Sequence, residues 1–265
     1  MRAIPAFFLS LSLLLTGIAH AAGFSSASSA SGETPHFQAQ EIIGFAKKVE
    51  HTLAAKGARV AILARMGRPL SEMPAGMHFT HVAFVVYSQI QTADGRQLPG
   101  YAIHNLYQYD DHPDRSHLVQ DFPVDFFAGV AQLEAGILIP SPQLQQRLLS
   151  LIGTPAYAAL HEPQYSVIAN PYNLGRQNCT EFTLDVINAA IYQTQDARQL
   201  KQIAQKYFAA QPVEVNPFKL LMGSMFSAEV SASDHPGKPQ TATFERISDY
   251  LLRYDRGAEV LTVLP

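Results

Sequence analysis

Residues 80–87, Thr-His-Val-Ala-Phe-Val-Val-Tyr, are β-branched, aromatic and almost continuously apolar. Such a run predicts a central strand covered on both faces, so the chain must supply a layer for each side of it. A loop marked by Asp94-Gly95 and Pro99-Gly100 leads to a second apolar strand over Tyr101–Tyr107, and the two form a hairpin. Further strands are expected at 59–64, 133–139, 165–169 and 259–264. Helical spacing runs from 38 to 56 through Ile42, Phe45, Val49 and Leu53, with Gly57 as the stop. Ser141-Pro142 reads as an N-cap and first position of a helix ending at Ile152-Gly153. Helices are also expected over 197–209, 218–226 and 243–253, with a polar loop at 231–240. No internal repeat is found, and the pattern is α+β with mostly antiparallel pairing in its middle third.

The N-terminus reads differently. Arg2, an apolar stretch over Phe7–Ile18 and Ala19-His20-Ala21 have the layout of a secretory signal peptide over residues 1–21. Residues 22–35, rich in Ser, Ala and Gly, read as a flexible leader, and residues 36–265 as a single domain with a C-terminal helical extension. The expectation is a periplasmic or secreted protein with no transmembrane segment, and no cysteine follows the cleavage site to carry a lipid anchor there. A formal charge of −3, made one unit more negative by the loss of Arg2, gives no general attraction to nucleic acid.

Export gives weight to the cysteine count, which is one. A lone thiol cannot form an intramolecular disulfide and is a liability in an oxidising compartment, which marks it as a candidate reactive group. Cys179 lies in Gly-Arg-Gln-Asn-Cys-Thr-Glu-Phe, where a loop with Pro171, Asn173 and Gly175 turns into a helix. Asn178 is placed as N-cap and Glu181 as its capping-box partner, with Phe182, Val186 and Ala190 on the face of Cys179. Free N–H groups and the helix dipole favour a thiolate in that first turn. The competing reading is a small buried hydrophobe.

A thiol nucleophile needs a base, and the base needs a partner that fixes its tautomer. His81 and His104 occupy core-like positions of the two hairpin strands, where an imidazole is costly unless its nitrogens are satisfied. A hairpin centred between Thr92 and Ala93 sets them opposite each other, and one centred on Asp94-Gly95 keeps them on one face but offset. An odd register shift separates them.

Thr-His-Val-Ala-Phe, Ala-Ile-His-Asn-Leu and the later Gln-Asn-Cys-Thr-Glu-Phe together resemble the circularly permuted NlpC-type, papain-like cysteine enzymes, among them relatives of lecithin–retinol acyltransferase. The resemblance implies a permuted papain-like fold, with an antiparallel sheet packed on the cysteine-bearing helix and helices added around it. It also implies Cys179 as nucleophile, His81 as base and His104 as the group that orients or polarises it. Ala83 stands where the cell-wall enzymes often have glycine, which sits better with the acyltransferase relatives. More closely, residues 36–255 resemble an exported bacterial family of unknown function, on Arg-Val-Ala-Ile-Leu-Ala-Arg, Ile-His-Asn-Leu and Tyr-Ser-Val-Ile-Ala-Asn-Pro-Tyr.

The expected function is a thiol-dependent hydrolase or acyltransferase acting on cell-wall peptide amides or lipid acyl groups, with no cofactor. Its alternatives are a non-catalytic binding module on the same fold and a redox-sensing thiol. His235, after the cysteine, is a rival base set in a polar loop. Asp110, Asp111, His112, Asp114 and His117 have metal-binding chemistry but read as a solvated loop. Phe122, Phe126 and Phe127 read as core, and no Gly-x-Ser-x-Gly elbow is present.

Overall fold

The computed structural model describes residues 36–92, 94–213 and 230–265. The expected signal peptide, the leader and the helix at 218–226 lie outside the described residues.

Residues 80–87 do become the centre of a sheet. The strands are β1 (Val60–Met66), β2 (His81–Gln91), β3 (Gln97–Gln108), β4 (Ser116–Asp121), β5 (Gln132–Ile139) and β8 (Glu259–Val263). They form one six-stranded antiparallel sheet in the order β4-β3-β2-β1-β5-β8. A separate ribbon pairs β6 (Gln211–Pro212) with β7 (Gln240–Thr241). The fold is α+β, as the pattern predicts.

Each face of the sheet has its own core. On one side, α1 (Ala39–Ala55) and α2 (Pro123–Phe127) lie over Ala61, Leu63, Ala83, Val85 and Ile103. Gly57 ends α1 with a φ of 64°, which lets the Ala58 N–H turn back to the Leu53 carbonyl at 3.0 Å. On the other side lie α3 (Pro142–Leu151), α4 (Pro155–Ala159), α5 (Cys179–Tyr192), α6 (Ala197–Tyr207) and α7 (Phe244–Tyr254). Their apolar side chains meet Val60, Ile62, Val82, Phe84 and Leu106. Buried on both faces, β1 and the first half of β2 have no polar side to show, which is why they read as unbroken apolar runs.

Several elements differ from expectation. β3 starts at Gln97, so Pro99 and Gly100 sit inside a strand rather than a turn. β4 and α2 were not legible, because the edge strand Ser-His-Leu-Val-Gln-Asp is mostly polar and α2 is little more than one turn. Tyr165–Ala169 is no strand: Tyr165 makes one bridge to Gln177, and the chain then turns.

Gly136 of β5 marks the closest approach between sheet and helix. A Cβ there would stand 2.7 Å from the Phe244 ring of α7 and 2.8 Å from the Phe79 ring. Gly136→Ala is therefore expected to lower the unfolding free energy in urea by about 1–3 kcal/mol through overpacking. An unchanged midpoint would contradict this packing of Phe79 and Phe244 on β5.

Candidate functional site

α5 begins where the chain predicts. Asn178 is its N-cap, its Oδ1 accepting from the Glu181 N–H at 2.9 Å. Its Nδ2 donates to the Val167 carbonyl at 2.8 Å and to Thr241 Oγ1 at 3.1 Å, which ties the helix start to the preceding loop and to β7. The capping box is not formed. Glu181 is fully buried and accepts instead from Lys201 Nζ of α6 at 2.5 Å, beside Asp185 at 2.7 Å from the same nitrogen.

Cys179 is the first residue of α5 and is buried. The backbone N–H groups of Val82, Thr180 and Cys179 itself act on its sulfur to favour the thiolate. The part played by Val82 has a topological cause. Odd-numbered residues of β2 bond to β1, as in the Tyr87 N–H to Arg59 carbonyl bond at 2.8 Å, so Val82 turns its N–H toward β3. Pairing between β2 and β3 runs only as far as Phe84–His104, while β3 continues with β4 to Gln108. The two strands part over 81–83, and the sulfur stands toward the N–H that this leaves without a strand partner.

Despite three N–H donors and the positive charge of Arg65, burial pushes the Cys179 thiol up to about 11. The helix start does favour the thiolate, but desolvation outweighs it, so the resting group is a neutral thiol. This corrects the expectation of a thiolate.

The imidazole of His81 lies at the same parting of the strands. Its ring is fully buried, stacked on Tyr107 with centroids 5.1 Å apart and tilted on Phe126 at 5.6 Å. Burial first, then the charge of Arg65, holds its pKa well below the usual histidine range, so the ring is neutral. Nε2 meets Asn105 Oδ1 at 3.0 Å. Nδ1 is buried with no hydrogen-bond partner, the sulfur included. His81 and Cys179 belong to opposite sides of the sheet, His81 with Tyr107 and Phe126 and Cys179 with Phe182 and Val82. At the open end of β2 the sulfur lies by the Val82 N–H, on the peptide that follows His81.

His104 does not orient His81. The hairpin register pairs Phe84 with His104, an odd offset that turns His104 to the α5 side, against the Tyr157 ring at 6.2 Å. Its neighbour Asn105 shares the face of His81 and is the side chain that meets Nε2. The signal for Asn105 was present in Ile-His-Asn-Leu, an amide in an apolar strand, but only the register selects it over His104.

The rival groups are occupied elsewhere. His235 Nε2 bonds the Ile168 carbonyl at 2.8 Å and Nδ1 meets Asn170 Nδ2 at 3.3 Å, so it fastens a loop. His117 stacks on Tyr109 with centroids 4.1 Å apart. Among the described residues no three His, Cys, Asp or Glu side chains are grouped to hold a metal ion, and no helix is long and apolar enough to cross a membrane. Phe126 and Phe127 are core, and Phe122 is exposed.

Cys179 lines a cavity of about 200 Å³. Met73, Met77, Phe79, Val167 and Ile168 give it apolar walls, Thr80, Thr241 and Thr243 stand among them, and among the described residues no charged side chain lines it. At neutral pH a thiol held up to about 11 has roughly 100-fold less thiolate than one near 9. Iodoacetamide should therefore label Cys179 at least that much more slowly than a short cysteine peptide, with a rate still climbing beyond pH 10. Labelling as fast as the peptide at pH 7 would contradict the buried, neutral thiol.

Comparison with known proteins adds a family. The chain belongs to the family described as uncharacterized protein conserved in bacteria (DUF2145), whose model matches residues 52–251, a span that includes His81, Asn105 and Cys179. No curated protein matches the chain, and no solved structure matches it.

Proposed function

We propose that this member of the family is a thiol-dependent acyl-transfer enzyme, a hydrolase or acyltransferase, in which Cys179 is the nucleophile, His81 the general base and Asn105 the residue that orients His81. The observation that carries the reading is His81 itself: a neutral, fully buried imidazole with Nε2 held by an amide oxygen and Nδ1 left bare, in the strand whose next N–H faces the cysteine sulfur. A buried nitrogen without a partner is costly, and a proton-accepting role in a reaction accounts for it.

Both groups begin neutral. As the sulfur attacks an acyl carbonyl, the thiol proton passes to Nδ1 and the carbonyl oxygen gathers negative charge. In this reading the N–H groups of Cys179 and Thr180 at the start of α5 receive that charge as the sulfur gives up its own. The imidazolium then protonates the leaving group, and a thioester remains on Cys179. Water or an acceptor hydroxyl, giving its proton to Nδ1, attacks the thioester and restores the thiol. Sulfur and Nδ1 share no hydrogen bond at rest, so substrate binding must close that gap, as catalytic contacts commonly tighten only in the bound complex.

Among its described lining residues the cavity is apolar and uncharged, which favours a short neutral acyl group over an anionic cell-wall peptide. A permuted papain-like arrangement and a periplasmic location belong to this proposal. The second reading, a non-catalytic binding module, draws on the raised thiol pKa and the absent sulfur–imidazole bond.

The test uses a series of neutral acyl p-nitrophenyl esters with intact-mass detection. The expected result is an acyl adduct on Cys179 that forms and turns over in the wild type, is lost in Cys179→Ala and is slowed about 100-fold or more in His81→Gln. His104→Gln should change the rate little. No adduct with any ester, or equal rates in wild type and His81→Gln, would favour the binding module.

A further inference from the structure

We propose that Asp121 is a positioning residue for this site: acting through Asn105, it dictates which nitrogen of His81 carries the proton. The inference deepens the reading above and rests on it only for the consequence at the sulfur.

Asp121 ends β4 and is opposite Ile103 of β3, so it shares a face with Asn105 and Tyr107. Its Oδ1 accepts from Asn105 Nδ2 at 2.7 Å and its Oδ2 accepts from the Tyr107 hydroxyl at 2.9 Å. A carboxylate offers only acceptors, so Asn105 must turn its NH₂ toward Asp121. Its oxygen then faces His81 at 3.0 Å and can only accept, so Nε2 must carry a hydrogen. A neutral imidazole has one such hydrogen. Nδ1 is therefore left as a lone pair, the form a general base needs. Reversing the Asn105 amide would set oxygen against carboxylate and NH₂ against an N–H, so each contact in the series enforces the next.

The groups around Asp121 tune this device. Burial raises its carboxyl to about 7, with Tyr107 of β3, Arg65 of β1 and Asn105 acting to lower it and Asp125 of α2 acting to raise it. Above that value the carboxylate holds Asn105 in place. Below it, a protonated Asp121 can donate to the Asn105 oxygen, and the amide is free to turn its NH₂ to His81 and move the ring hydrogen to Nδ1.

Nitrogen-15 NMR of the histidine rings reads the tautomer directly. In the wild type at pH 8.5, His81 should show a protonated Nε2 and a bare Nδ1, and acidification through pH 7 should populate the Nδ1–H form. Asp121→Asn should populate that form at pH 8.5 and slow acylation of Cys179 about 100-fold or more, while Asp121→Glu restores the Nε2–H tautomer and Tyr107→Phe, which removes a group that lowers Asp121, moves the tautomer change to higher pH. A His81 that stays Nε2–H in folded Asp121→Asn overturns the inference. If that variant does not fold, a wild-type tautomer that is constant from pH 5.5 to 8.5 overturns it equally. The tautomer is read without any substrate, so a missing acyl adduct with the expected tautomers would sink the catalytic reading and leave the positioning role standing.

Discussion

A helix buried on every side must find partners inside the protein for whatever polar groups its sequence contains, because water cannot supply them. α5 is such a helix: every residue from Cys179 to Ala190 is buried. Its first two turns are rich in polar groups, and their partners connect the surrounding elements. Asn178 draws in the Val167 loop and β7, Thr180 donates to the Ala242 carbonyl at 2.8 Å, and Glu181 and Asp185 share Lys201 of α6. Two buried carboxylates around one ammonium leave an uncancelled charge, and burial pushes Glu181 well above the usual carboxylate range. The layer of helices on this side of the sheet is organised around these contacts, and they fix the position of Cys179 at the end of the helix.

What the helix presents there is shaped by a second constraint, the parting of β2 and β3 beyond Phe84–His104. A sheet paired to its end would separate the two faces completely. The gap lets the sulfur from the α5 side come to the Val82 N–H while the imidazole and Asn105 occupy the other side. Neutral thiol and neutral imidazole suit this dry setting, since a resting ion pair would require two charges in a place that burial makes costly for both.

Much of this was legible in the chain. Residues 80–87 announced themselves as a central strand because both faces of the sheet are covered, the run at 59–64 read as a strand, and the Asn178 cap and Cys179 helix start were readable locally. His81 stood out as an imidazole inside an apolar strand. Its partner did not, because a loop that can close in several registers leaves the pairing open, and one residue of slip exchanges His104 for Asn105. The strand expected at Tyr165–Ala169 failed for a related reason: its apolar side chains are buried against the cavity and α5, and burial without alternation does not identify a strand. The thiol was misjudged because local donors are visible in a sequence and desolvation is not.

The central claim is that sulfur and imidazole meet through the gap between the strands. It is tested most directly by a crystal structure of the protein with Cys179 bound to a substrate-like electrophile that mimics the tetrahedral intermediate. The account predicts His81 Nδ1 within about 3.5 Å of the sulfur, Asn105 still on Nε2, and the mimic's oxygen at the start of α5. A sulfur that is modified while Nδ1 stays turned away, with another group taking the proton's place, would contradict it.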